Sequence, residues 1–169
     1  MIAKAATISH GGNAVRYSVN KDKAEIVKVN FLPDDISAEA MYQRMALKQK
    51  EFASTINKGR PLKRNVIRME ISPTKEESSG WTLDDWVRLA NEYIQVFDSI
   101  DLSKKTKRTS AKSTNVKNSQ YVVALHHDAK SGIPHLHIDV NRVDMNGTVN
   151  DDHLIAERAM SAAYIINER

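Results

Sequence analysis

The order of elements in this sequence predicts an α+β fold, a central antiparallel or mixed β-sheet with helices packed on it. Three features carry the prediction: short alternating β-rich segments, long segments with apolar residues at helical spacing, and two consecutive strands with no helix between them. Ile2 to Ile8 reads as a strand, ended by His10-Gly11-Gly12-Asn13, where the glycines permit a turn and Asn13 can cap a short helix carrying Tyr17. Ala24 to Phe31 alternates loosely and stops at Leu32-Pro33, which predicts a second strand. Ser37 can serve as N-cap with Glu39 in the first turn, and Met41, Met45, Leu47, Phe52 and Ile56 extend a helix until Asn57-Lys58-Gly59. Asn65 to Ile71 alternates as a strand closed by Pro73, and Thr82 caps a helix whose stripe is Leu83, Trp86, Leu89, Ala90, Tyr93 and Phe97. Tyr121 to His126 and His135 to Val143 have lengths suited to an antiparallel hairpin. Asn146-Gly147 signals a tight turn, and Asp151 or Asp152 can start a last helix.

At 169 residues the chain is the size of one domain, read as residues 1–169, and 41% hydrophobic residues with 6 Gly and 4 Pro exclude disorder and fibrous repeats. No apolar run reaches the ~18 residues of a membrane span, and MIAKAATISHGG is not a secretory signal, so the expected location is the cytoplasm, with no membrane partner. With no cysteine, disulfides, thiolate nucleophiles and Cys-based metal sites are excluded, and any metal must be held by imidazole and carboxylate. The net charge is +4, and basic residues cluster. Lys104, Lys105, Lys107, Arg108, Lys112 and Lys117 fall in one acid-free stretch without hydrophobic periodicity. It reads as an exposed loop able to meet phosphates, or equally as a solvated linker.

Four of the six histidines lie between His126 and His137. In a strand, His135 and His137 share a face while Leu136 and Ile138 take the other, so two imidazoles aim at one point. An antiparallel neighbour adds His126, making a three-nitrogen cluster with open positions for water or substrate oxygens. His127 faces away, and Asp128 is placed to orient a ligand imidazole or line the site. His10 and His153 stand alone as surface or capping residues.

These residues resemble a family. His126-x-Asp128 followed by His135-x-His137, with Asn141 four residues on, resembles the third motif of plasmid mobilisation relaxases of the HUH endonuclease superfamily. Ile8 to Tyr17 is similar to their first motif, which carries the nucleophilic tyrosine, and Met69 to Glu76 resembles the strand and turn preceding an acid. The resemblance implies Tyr17 as nucleophile, His126, His135 and His137 as metal ligands, and Glu70 or Glu76 as the acid that fixes a ligand histidine. It also implies that the chain is the nuclease domain alone, the N-terminal part of a longer protein. Arg16, beside Tyr17, is a candidate phosphate contact. Tyr42, Tyr93, Tyr121 and Tyr164 read more simply as packing residues.

The implied activity is metal-dependent nicking and strand transfer on single-stranded DNA at an origin of transfer, through a 5′-phosphotyrosine. Implied partners are an accessory mobilisation protein and a secretion coupling protein. By softness three imidazoles favour zinc or a late transition metal, whereas the resemblance implies Mg²⁺ or Mn²⁺, which is the expectation adopted. Two alternatives stay open: a rolling-circle replication initiator, whose tyrosine follows the histidines and would be Tyr164, and a non-catalytic DNA-binding domain with a structural metal. No residue in the sequence identifies the base that takes the tyrosine's proton.

Overall fold

The computed structural model describes residues 1–127 and 130–169; the expectation for Asp128 lies outside the described residues. Five strands, β1 (Ile2–Ile8), β2 (Glu25–Asn30), β3 (Val66–Ser72), β4 (Tyr121–His126) and β5 (His135–Asn141), form one sheet in the order β1-β3-β5-β4-β2. Every pairing is antiparallel, so of the two sheet types expected the mixed one is excluded. The histidine strand β5 is central, and β4 pairs beside it with His126 opposite His135, the hairpin the strand lengths predict.

Strand alternation sends the two sets of side chains into different layers. Ile67, Met69 and Ile71 of β3 and Leu136, Ile138 and Val140 of β5 face α3 (Leu83–Ser99) and α5 (Ile155–Asn167). Trp86, Leu89, Tyr93 and Phe97 form the α3 stripe against them, and Thr82 closes a capping box with Asp85. Leu83, expected in that stripe, is exposed in the first turn, before the helix reaches the sheet. Arg158 of α5 is fully buried and donates to the backbone carbonyls of Phe97, Ile100 and Ala111, tying α5 to the end of α3.

The opposite face is covered by α1 (Gly11–Asn20) and α2 (Ala38–Glu51), with a smaller apolar cluster around Val15, Met41, Met45, Val66 and Val122. The α1 helix starts two residues before the expected Asn13 cap, because the His10 carbonyl already accepts from the Asn13 and Ala14 amides. Gly11 and Gly12 allow close packing: a Cβ on Gly11 would lie 2.4 Å from Val66 Cγ2, and one on Gly12 3.1 Å from Tyr42. This approach seats α1 on the sheet, with Tyr17 in its last turns.

Ser37 caps α2 as expected, its hydroxyl accepting from the Ala40 amide, but the helix stops at Glu51 rather than running to Asn57. Phe52 turns aside over Gly147, whose φ of 84° and missing Cβ let the expected tight turn pass under the ring. Leu47, two positions on from the buried Met45 and so on the opposite side of the helix, is exposed instead of helping the stripe. The basic stretch, expected as an irregular loop, contains the short helix α4 (Ser103–Thr106) and two 3₁₀ turns that bury Ala111, Thr114 and Val116. Neither Asp151 nor Asp152 caps α5, which starts after Leu154, because both carboxylates are drawn into ion pairs with arginines. Among the described residues no helix is long and apolar enough to cross a membrane.

Candidate active site

On the α1/α2 face, the central strands present Arg68 and Glu70 of β3 and His137 and Asp139 of β5, with Glu70 opposite His137 and Arg68 opposite Asp139. His135 enters at the start of β5 and His126 at the end of β4, so the three expected imidazoles meet at one end of the sheet. Ring centroids are 4.1 Å apart for His126 and His137, 4.9 Å for His135 and His137, and 5.6 Å for His126 and His135. All three are buried, and one ligating nitrogen from each lies within 4.8 Å of the others.

Backbone acceptors fix two tautomers. His126 Nε2 is 2.8 Å from the Ser18 carbonyl oxygen, so it carries the proton and leaves Nδ1 as the electron-pair donor. His135 Nδ1 faces the Ile133 carbonyl at 3.2 Å, which leaves Nε2. Such hydrogen bonds to the second ring nitrogen are how proteins aim metal-ligating histidines. A buried trio of imidazoles, with one nitrogen of each gathered at a common point, is a donor set that fits a divalent metal.

Tyr17 faces this cluster, its ring centroid 5.6 Å from that of His126 and 5.7 Å from that of His137. The residue is 43% exposed rather than packed into the core. Lys21, one helical turn on, donates from Nζ to the Tyr17 hydroxyl at 3.3 Å, and the Arg68 guanidinium carbon lies 5.7 Å from the ring centre. A cleft of about 570 Å³ opens here, lined by Tyr17, Lys21, Glu70, Ser72, Ile133 and His135 among others. Asp139, two residues beyond His137, is fully buried beside Ser18 and Arg68. Burial pushes its carboxyl up to about 6, against the opposing pull of the Ser18 hydroxyl and the Arg68 charge.

Of the two acids named as alternatives, Glu70 is the one near the histidines, with Oε1 3.7 Å from His137 Nε2; Glu76 is exposed in the turn after Pro73. His127 turns out to Glu25. Arg16 points to the start of α2, where Glu39 takes its guanidinium at 3.1 Å, and Asn13 of its own helix accepts a second hydrogen bond. Asn141 is buried and structural, donating to the Met45 carbonyl and to Gln120. The loop cations Lys104, Lys105, Lys107, Arg108 and Lys112 belong to the segment leading into β4 at Tyr121, the end of that strand opposite His126. Lys105 pairs with Glu157 and Arg108 with Asp151.

The remaining tyrosines do not reach the cluster. Tyr93 is buried and donates to the Ala159 carbonyl, Tyr42 accepts from Asn65, Tyr121 is buried, and Tyr164 is 66% exposed on α5, which belongs to the other layer. The sequence reading missed Lys21 and Arg68. Strand alternation on β3, which sets Arg68 and Glu70 on one face, is the signal that finds Arg68; Lys21 follows from its i+4 spacing to Tyr17.

The five-stranded antiparallel sheet with a histidine trio on its central strands is the architecture of a DNA-nicking relaxase of the HUH type, and the family comparison shows that class. A family model described as the MobA/VirD2-like relaxase nuclease domain matches residues 15–167, and the chain belongs to that family. No curated protein matches the chain.

Proposed function

We propose that this relaxase domain begins conjugative mobilisation by nicking one strand at an origin of transfer, the Tyr17 oxygen attacking a phosphodiester to leave a 5′-phosphotyrosine and a free 3′-hydroxyl. The observation that carries the reading is the placement of the Tyr17 ring against His126 and His137, shared by no other tyrosine among the described residues. As the bond from Oη to phosphorus forms, the bond from phosphorus to O3′ breaks. The phenol gives up its proton and the departing oxygen gains one. A free phenol has a pKa of ~10, so negative charge on Oη must be stabilised as attack proceeds. Lys21, hydrogen-bonded to that oxygen, and Arg68 beside the ring are the cations in reach. His126 through Nδ1, His135 through Nε2, and His137 would hold Mg²⁺ or Mn²⁺, which when bound polarises the scissile phosphate. We assign Glu70 to the orientation of His137, in preference to Glu76.

The substrate is unpaired DNA in the cytoplasm, with accessory mobilisation and secretion coupling proteins as further partners. Of the loop cations, Lys104, Lys107 and Lys112 add positive potential, while Lys105 and Arg108 are held by carboxylates and contribute less. Mn²⁺ and a labelled single strand carrying the nick site should give a covalent adduct with the native chain, none with Tyr17→Phe, and none in EDTA. Tyr17→Phe should keep oligonucleotide binding. Adduct formation by that variant, or attachment mapped to Tyr164, overturns the assignment, and binding without cleavage in any divalent ion returns the chain to a DNA-binding domain with a structural metal.

A further inference from the structure

One ionisable group at the site is buried without a task. Asp139 stands on the central strand β5, in register with Arg68 of β3 on one side and Val122 of β4 on the other, and it is fully buried. Neither of its carboxylate oxygens has a hydrogen-bond partner among the described residues, and the Ser18 hydroxyl that faces it, itself buried, has none elsewhere. A buried carboxylate left in this way costs free energy, and an amide or apolar side chain of the same shape would suit the interior better. Departures of this kind from a satisfied interior are expected where a functional site requires them.

The surroundings of Asp139 point to what it serves. Ser18 follows Tyr17 directly on α1, and its carbonyl oxygen is already taken by His126 Nε2 at 2.8 Å. Its side chain turns instead toward Asp139, so one residue ties the last turns of α1 to both histidine-bearing strands. Arg68 lies across the strand pair from Asp139, and among the described residues its guanidinium forms neither a hydrogen bond nor a salt bridge. That guanidinium is held by the Tyr17 ring, whose centre is 5.7 Å from the guanidinium carbon, and by the opposite charge of Asp139. The contacts close a circuit: the backbone joins Tyr17 to Ser18, Ser18 and Arg68 both face Asp139, and Arg68 faces the Tyr17 ring.

We propose that Asp139 is a positioning residue of the nicking reaction, holding the Ser18 end of α1 and the Arg68 guanidinium so that the Tyr17 ring stands against the histidine centre. It lies outside the histidine trio and acts through those two side chains. This rests on the reading of Tyr17 as the nucleophile.

The test compares Asp139→Asn and Asp139→Leu with the native chain in three measurements: single-turnover adduct formation on a labelled single strand in Mn²⁺, Mn²⁺ affinity by calorimetry, and melting temperature. Both variants should slow adduct formation by about tenfold or more, the scale of a small displacement of a reacting group. Mn²⁺ affinity should stay within about twofold, and the melting temperature should hold or rise, because each variant relieves a buried charge. A residue that only supports the fold would lower activity and melting temperature together. A double-mutant cycle reads the path through Arg68: in an Arg68→Gln background, Asp139→Asn should cost less than about twofold further. Nuclear Overhauser contacts of the Tyr17 ring with the His126 and His137 rings, recorded without metal, should be present in the native chain and weakened in Asp139→Asn. An unchanged adduct rate, a matching loss of Mn²⁺ affinity, a parallel fall in activity and stability, additive losses in the cycle, or unaltered ring contacts each overturn the proposal. Ring contacts that depend on Asp139 in a native chain that forms no adduct would instead leave the placement of Tyr17 by Asp139 standing and remove the nicking mechanism.

Discussion

The two faces of the sheet use the same strands for opposite purposes. Toward α3 and α5, β3 and β5 present only Ile67, Met69, Ile71, Leu136, Ile138 and Val140, and two helices close over them. Toward α1 and α2 the intervening positions of those strands include Arg68, Glu70, His135, His137 and Asp139, and the apolar cluster there, to which β3 adds Val66, is small. One layer supplies the burial that stabilises the fold, at ~1.5–3 kcal/mol for each large side chain. The other gathers polar groups that cost free energy to bury and are retained for chemistry. Period-two alternation keeps the two tasks on one strand without conflict, so changes on the two faces should separate activity from stability.

The largest separation should come from His137→Ala. Removing one of three imidazoles should reduce nicking by at least about 10³-fold and weaken Mn²⁺ binding measured by calorimetry, with little movement of the melting temperature. A drop in melting temperature as large as that of a core truncation would erase the distinction between the faces. From the closed side, Arg158→Met should do the reverse. It leaves the Phe97, Ile100 and Ala111 carbonyls without their buried donor, at a cost of about 1–3 kcal/mol for each carbonyl left unpaired in denaturant unfolding, while the folded fraction still nicks.

A subtler test lies within the site face. Glu70→Gln keeps the shape of the side chain but removes the charge 3.7 Å from His137 Nε2. Partners that orient a metal-bound histidine typically account for 10- to 100-fold in affinity, so Mn²⁺ binding should weaken by about 10-fold with the fold intact. Glu76→Gln, in the exposed turn, should leave metal affinity unchanged. If the two variants exchanged these outcomes, the acid would have to be reassigned.

What the sequence makes legible is local. The pair His135 and His137 is aimed by alternation alone, and the Thr82 capping box and the Tyr121–His126 hairpin are written in short-range signals. Long-range neighbours are another matter. The charge run from Lys104 to Lys117 looks open in sequence because the carboxylates that neutralise it are remote: Glu157 stands 52 positions from Lys105, and Asp151 stands 43 from Arg108. The segment around Arg60, Lys63 and Arg64 draws less notice in sequence, yet no acid folds against it among the described residues. Arg68 reaches Tyr17 only because β3 sits beside β5, an order that strand patterns do not specify. The helix ends at Glu51 and Leu154 shift from expectation for the same reason, being set by Phe52 over Gly147 and by the arginines that take Asp151 and Asp152.

The smallest expected effect concerns acid, on the closed side of the molecule. Asp151 is buried beside the start of α5. Burial alone would raise its pKa, but hydrogen bonds from the Ser110 hydroxyl, the His153 amide and Arg108 outweigh it and hold the carboxyl below the ordinary range. An unfolded aspartate titrates near ~3.9. The native state therefore favours the ionised form, and this contribution is complete above about pH 4 and declines as pH falls below that value. Asp151→Asn should cost about 1–2 kcal/mol at neutral pH, the scale of hydrogen bonds to a charged group, and progressively less as pH falls below about 4, the difference vanishing only once pH passes below the lowered pKa of the folded state. The unfolding curves of the two chains should thus converge on acidification. Parallel curves would mean that Asp151 acts through shape alone, and that the pairing of Arg108 adds no charge-dependent tie between the basic segment and the closed layer.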